Sequence, residues 1–284
     1  MQTGRNKRSA LLAAVICLAG VGAAHAAAIT EGFEGFSNGS GTTVNNYTGP
    51  IGKWTNSSGA SSNGGSTSAV VMTGDSTAYA GSNFLRLNDT ATDAVAAATL
   101  ALTTPVLADG TTVSFALRDD GSFNSDQVII KAGTVILGQV GLQNNGATSG
   151  KITYTSYTSA ANGGAVTTQI GNTFGVNGTS SNSGWYLFNL KYSVANGTAA
   201  YALTITDPKN AQFYSGTLNG NTGLSASTTY NISSIIVQTN GGKTGSADVD
   251  AITVAAPEPA AMSLIGFAGA GMMLKRRKKR VATV

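Results

Sequence analysis

From Ala27 to Ala256, apolar and polar residues alternate in short runs broken by clusters of Gly, Asn and Ser. Alternation of period two puts every second side chain on one face of an extended chain, so the pattern predicts strands joined by turns. Trp185 to Val194 places Tyr186, Phe188, Leu190, Tyr192 and Val194 on one face, and Ala200 to Thr206 does the same for Tyr201, Leu203 and Ile205. Asn196-Gly197 stands between them, which predicts a tight hairpin. Thr112 to Leu117, Gln127 to Lys131, Thr134 to Val140, Lys151 to Tyr157, Gln212 to Leu218, Tyr230 to Thr239 and Val249 to Val254 show the same pattern, for about nine strands in all. Ala91 to Leu102 is ambiguous: its alanines suit a helix, its threonines and valine and the nearby Pro105 a strand.

Many short antiparallel strands with polar outer faces must cover their apolar faces with a second sheet. The fold expected is all-β, an antiparallel β-sandwich or jelly roll. Phe36 to Thr43, Asn56 to Ser68, Gln143 to Gly150 and Asn177 to Gly184 are rich in Gly, Ser, Asn and Thr and read as surface loops.

Composition narrows the chemistry. Charged residues are 11% of the 284, well under the usual quarter, and Gly numbers 37. The net charge of +4 is misleading, because Arg5, Lys7 and Arg8 lie at the start and Lys275, Arg276, Arg277, Lys278, Lys279 and Arg280 form one run near the end. Between Ala27 and Ala256 there are eight basic and twelve acidic residues, so nucleic acid is not an expected partner. The only cysteine and histidine are Cys17 and His25. If residues 1–26 are removed, no thiol, imidazole, disulfide or zinc site remains, and Ser-His-Asp and Cys-His catalysis are excluded.

Both ends read as addresses. The basic residues at the start precede the apolar run Ala10 to Ala24, and Ala24-His25-Ala26 supplies small residues at −3 and −1 for signal peptidase, with cleavage before Ala27. At the other end stand Pro257-Glu258-Pro259, then Ala260 to Leu274 without a charge, then the basic cluster Lys275 to Arg280. As a helix that apolar stretch covers roughly 22 Å, a short membrane span, and the basic cluster after it places the passenger outside.

This order resembles the PEP-CTERM sorting signal. The resemblance covers about the last 28 residues and implies an exosortase-type membrane protease as partner. It also implies transient inner-membrane anchoring through a C-terminal helix, and a place in the envelope or matrix of a Gram-negative bacterium, in contact with exopolysaccharide. The domains expected are therefore 1–26, a signal peptide; 27–254, the β-sandwich passenger; and 255–284, the sorting tail.

Glu31 to Phe36, the strand pair after Trp185 and Asp248 to Val254 resemble the first, central and last strands of concanavalin-A-like and carbohydrate-binding jelly rolls. That resemblance implies a structural calcium near the paired chain ends, with Glu34 and Asp250 as candidates; alternation puts Asp250 on the face of Ile252 and Val254. A second oxygen-rich stretch, Asp120, Ser122, Asn124 and Asp126, reads better as a polar turn than as a calcium loop. Gly241-Gly242-Lys243-Thr244 is a turn, since no helix pattern comes after it. Trp185, opening an amphipathic strand, is expected in the core. Trp54 is either core or a platform for a sugar ring.

No residue set suggests catalysis. The function expected is an exported structural or adhesive surface protein, with a carbohydrate-binding, lectin-like module as the alternative.

Overall fold

The computed structural model describes residues 28–257, apart from 60, 61, 64, 120–124, 145–149, 175–183, 208–210 and 240–243. Sixteen strands occur among the described residues. First come β1 (Ile29–Glu31), β2 (Thr42–Thr43), β3 (Gly52–Asn56) and β4 (Thr67–Met72), then β5 (Phe84–Asp89), β6 (Ala97–Leu107), β7 (Thr112–Asp119) and β8 (Ser125–Ala132). β9 (Val135–Asn144), β10 (Gly150–Ser156), β11 (Val166–Phe174) and β12 (Tyr186–Ala195) come next, and the chain continues through β13 (Thr198–Thr206), β14 (Gln212–Asn221), β15 (Asn231–Thr239) and β16 (Gly245–Ala255).

They form two sheets. One has the order β14-β13-β12-β7-β16-β5-β4-β2, with β1 beside the end of β16; the other has the order β11-β10-β9-β8-β15-β6-β3. Paired strands run antiparallel throughout. The expected all-β antiparallel sandwich is the observed fold, and residues Ala28–Ala256 form one compact unit. The expected flanking helices, the signal segment with Ala24, Ala26 and Ala27, and the tail from Glu258 through Arg280 lie outside the described residues.

The nine segments with clear alternation are all strands. In β12 and β13, Tyr186, Phe188, Leu190, Tyr192, Tyr201, Leu203 and Ile205 are buried, and Asn196 and Gly197 take φ of 51° and 77°, the two positive values that a tight hairpin turn requires. Of the ambiguous stretch Ala91 to Leu102, residues 97–102 lie in β6, a strand, and residues 91–96 lead into it as irregular chain. Pro105 lies within it at an irregularity, where pairing with β15 jumps between Ile232 and Ser234, so no ladder hydrogen bond is lost.

The core lies between the sheets. Phe115 of β7 stacks on Phe188 of β12 with ring centres 5.1 Å apart, and Trp54, fully buried, packs on Phe33 at 5.2 Å. The chain's first strand joins its last, with Glu31 opposite Ile252. Alternation then fails once. Ala251 adopts φ 51°, and the register of β16 against β7 shifts between Asp250 and Thr253. This bulge reverses the facing of the residues after it. Val249 and Ile252 both enter the core, while Asp250 turns with Asp248 to the outer face. The expected common face of Asp250, Ile252 and Val254 is thereby corrected.

Candidate functional site

An open cleft of about 590 Å³ lies where the first strand meets the last, lined by residues that include Glu31, Glu34, Tyr47, Gly49, Ala80 and Gly81. Glu31 ends β1 opposite a core residue, so its carboxylate points into the end of the sandwich. Phe33, with φ 59°, turns the chain back, and its N–H donates to Glu31 Oε1 at 2.8 Å. The Tyr47 hydroxyl donates to the same oxygen at 3.4 Å.

Glu31 is fully buried, and its Oε2 has no hydrogen-bond partner; nor has Trp54 Nε1. Burial raises the Glu31 pKa above the usual carboxylate value, while the Phe33 amide, the Trp54 indole N–H and the Tyr47 hydroxyl pull it down. The indole N–H thus acts on the carboxylate without reaching hydrogen-bond geometry. Tyr47 is pushed up to about 12 by its burial and by the charge of Glu31.

Glu34 lies on the rim and holds the loop of residues 73–83. Its Oε1 accepts from the amides of Ser82 at 2.7 Å and Asn83 at 2.9 Å, and its Oε2 from the Ser82 hydroxyl at 3.2 Å. Asp250 holds the same loop from beneath, its Oδ2 accepting from the Ala80 amide at 2.8 Å and its Oδ1 from the Ala251 amide at 2.7 Å. Burial raises Asp250 to about 6, its amide donors pull it down, and the nearby Glu34 charge adds to the rise.

The structure therefore brings the two calcium candidates to one loop, where each of the four oxygens accepts an N–H or O–H. As placed, the pair clamps the loop. Among the described residues no group of three His, Cys, Asp or Glu side chains is arranged to hold a metal. Asp126 of the second oxygen-rich stretch is fully buried in β8 rather than in a turn; Asp120, Ser122 and Asn124 lie outside the described residues.

The loop crosses the outer face of the larger sheet above a charged row. Asp248 of β16 is fully buried between Arg86 of β5 and Arg118 of β7, its cross-strand neighbours. Arg86 donates from Nε at 2.7 Å and Nη2 at 3.0 Å, and Arg118 from Nε at 2.9 Å and Nη2 at 2.6 Å. Arg118 Nη1 reaches on to the Thr77 carbonyl at 3.2 Å. Trp185 donates its indole N–H to that carbonyl at 2.7 Å, with the Arg118 guanidinium 4.6 Å from its ring centre.

The two tryptophans differ in burial, and Trp54 takes the core side of its two readings. Trp54, the candidate sugar platform, is sealed in the core, and Trp185, expected in the core, is half-buried on the outer face beside Tyr79, which is 39% exposed. Glu31 was not singled out by sequence reasoning; its place at the end of a buried strand, ahead of a Gly-Phe turn, was the available signal.

No protein family matches the chain, and no curated protein matches it. Among solved structures, a protein of unknown function from Shewanella oneidensis MR-1 is 18% identical, over 89% of this chain and 95% of that one, with a TM-score of 0.43. A legume lectin-like domain from Entamoeba histolytica is 8% identical over 62% and 85%, TM-score 0.41. The family 11 carbohydrate-binding module from Clostridium thermocellum, in complex with a mixed-linked tetrasaccharide, is 14% identical over 76% and 95%, TM-score 0.35. The likeness is one of fold alone.

Proposed function

We propose that this chain is an exported glycan-binding protein of the cell surface or its matrix, which takes sugar hydroxyls into the cleft over Glu31 and is sorted by its PEP-CTERM-like tail. One observation carries the binding half. The open cleft of about 590 Å³ where the first strand meets the last is rimmed by residues that include Tyr47 and Glu34. Beneath it the buried Glu31 carboxylate, whose Oε2 lies against Gly49 and the Trp54 side and out of a ligand's reach, holds the Tyr47 hydroxyl through Oε1. The lining suits an uncharged polyol, with the Tyr47 hydroxyl and the backbone groups of the glycine-rich wall as partners, while Gly49 and Gly81 lie against the Glu31 and Glu34 carboxylates.

Calcium is not required by this reading, since the Glu34 and Asp250 oxygens already serve the loop. The test is retention on a glycan array of the exported protein and of Glu31→Gln, each with calcium and with chelator. Retention that Glu31→Gln abolishes and chelator leaves intact supports the cleft. Binding that survives Glu31→Gln removes it as the site, and absence of binding to every glycan returns the protein to the structural role.

The sorting half rests on the order of Pro257-Glu258-Pro259, apolar stretch and basic cluster. Intact mass and end mapping of the native protein test it. A product running from Ala27 to the Pro257–Pro259 region agrees with export and tail removal; a chain that keeps Ala260 to Val284 overturns processing by an exosortase-type protease.

A further inference from the structure

We infer that a second copy of this chain pairs with the free edge of β11, antiparallel and centred on Thr168. β11 ends the seven-stranded sheet, and among the described residues no strand pairs its outer side. An exposed strand edge presents a row of backbone N–H and C=O groups that will pair with another strand unless the sequence prevents it, usually by charge, proline, shortness or bulges. β11 (VTTQIGNTF) carries no charge and no proline, and its pairing with β10 is regular from Val166 to Ile170, the irregularity coming only beyond that run.

Two of the other edges are protected. β3 at the far end of the same sheet has five residues and carries Lys53, and β2 has only two residues. β14 is uncharged like β11 and pairs regularly with β13 from Tyr214 to Asn219, but it exposes no large apolar residue, whereas β11 exposes Val166. The surrounding half of the sandwich adds little repulsion: from Val135 to Thr239 the only charged residues are Lys151, Lys191, Asp207 and Lys209.

The side chains select the occupant. With Thr168 on a two-fold axis, Val166 stands opposite Ile170 of the second copy and Thr167 opposite Gln169 of the second copy. Val166 is 56% exposed, more than any other large apolar residue described, and the pairing covers it with an apolar neighbour that is itself only partly buried. Thr167 and Gln169 occupy the other face, where Thr155 Oγ1 meets Thr167 Oγ1 at 2.9 Å and Gln169 Nε2 donates to Gln143 Oε1 at 3.2 Å. Such an isologous contact continues one sheet into the next. Five residues a side bury far less than a standard interface of ~1,600 Å², so association is weak and depends on concentration.

Sedimentation of the exported protein across a concentration series tests the pairing. The expected result is a monomer–dimer equilibrium that Thr168→Lys, which opposes two cations on the axis, weakens at least tenfold without lowering the melting temperature. Thr168→Cys, treated with a short bifunctional thiol reagent, should give a covalent dimer that the unsubstituted protein does not. A monomer at every concentration overturns the inference. So does a dimer that Thr168→Lys leaves unchanged, or a Thr168→Cys variant that links no better than the unsubstituted chain. Glycan retention by a strictly monomeric protein would leave the cleft reading standing while this one fell.

Discussion

The carboxylate of Glu31 occupies the space that a side chain at Gly49 would need: a β-carbon there would stand 1.5 Å from Oε2 and 2.6 Å from Cδ. The buried acid and the glycine are therefore one unit, and any larger residue at position 49 must push the carboxylate out. Gly49→Ala should cost about 1–3 kcal/mol, the usual range for overpacking. Glu31→Ala in the same chain should recover part of that loss, since contacting residues are not additive. Denaturant unfolding of the single and double variants reads the coupling; a strictly additive pair would show that the two sites do not share this space.

Asp250 gives the protein an unusual response to acid. Its folded pKa, near 6, exceeds the ordinary carboxylate value because burial disfavours the charge. Between the unfolded and folded values the native state holds more protons, so stability from this group rises as pH falls from about 7 towards 4 and is lost as pH rises through 6. Glu31 shifts in the same direction. The Asp250 contribution is on the order of 2 kcal/mol. Asp250→Asn should flatten the slope of unfolding free energy against pH in that window; an identical slope in the variant would assign it elsewhere.

The Arg86–Asp248–Arg118 row should tolerate loss of an arginine better than loss of its acid. Asp248→Ala leaves two guanidinium groups facing each other, Arg118 with only 13% of its side chain exposed, and should cost about 3–5 kcal/mol. The loop of residues 73–83 should become sensitive to protease at the same time, because Arg118 also holds Thr77. Full resistance to cleavage in Asp248→Ala would mean that Trp185, Glu34 and Asp250 suffice to hold it.

Tyr192 points the other way. Its hydroxyl is buried without a hydrogen bond, and burial raises its pKa well above the ordinary value, with Tyr201 adding to the rise. Tyr192→Phe removes the unpaired group while keeping the ring, and should stabilise the fold by about 1 kcal/mol. A lower melting temperature in that variant would reveal a partner for the hydroxyl.

The tryptophans should separate by magnitude. Trp54→Ala opens the core next to Phe33 and should cost about 3–5 kcal/mol. Trp185→Ala removes one hydrogen bond and a cation–π contact at a half-buried position, and should cost about 1–2 kcal/mol. Equal losses would contradict the difference in burial.

What the sequence determined by itself is what local periodicity can carry. Runs such as Tyr186 to Val194 alternate strictly, and Asn196-Gly197 selects a turn with two positive φ angles, so β12, β13 and their shared face were legible, as was the sandwich that such strands must build. β11 was not legible, because its exposed face and its Thr, Gln and Asn content match those of a loop. β1, β2 and β3 are too short for alternation to register. Tertiary structure alone decided the candidate site. One bulge residue, Ala251, turns Asp250 away from the core, and no local pattern announces it. Trp54 is sealed in the core and Trp185 is left half-buried outside it because burial depends on which sheet or loop comes to cover a residue, a relation between segments distant in the chain. Glu31 gains its unpaired oxygen only where the first strand meets the last and Gly49 closes over it.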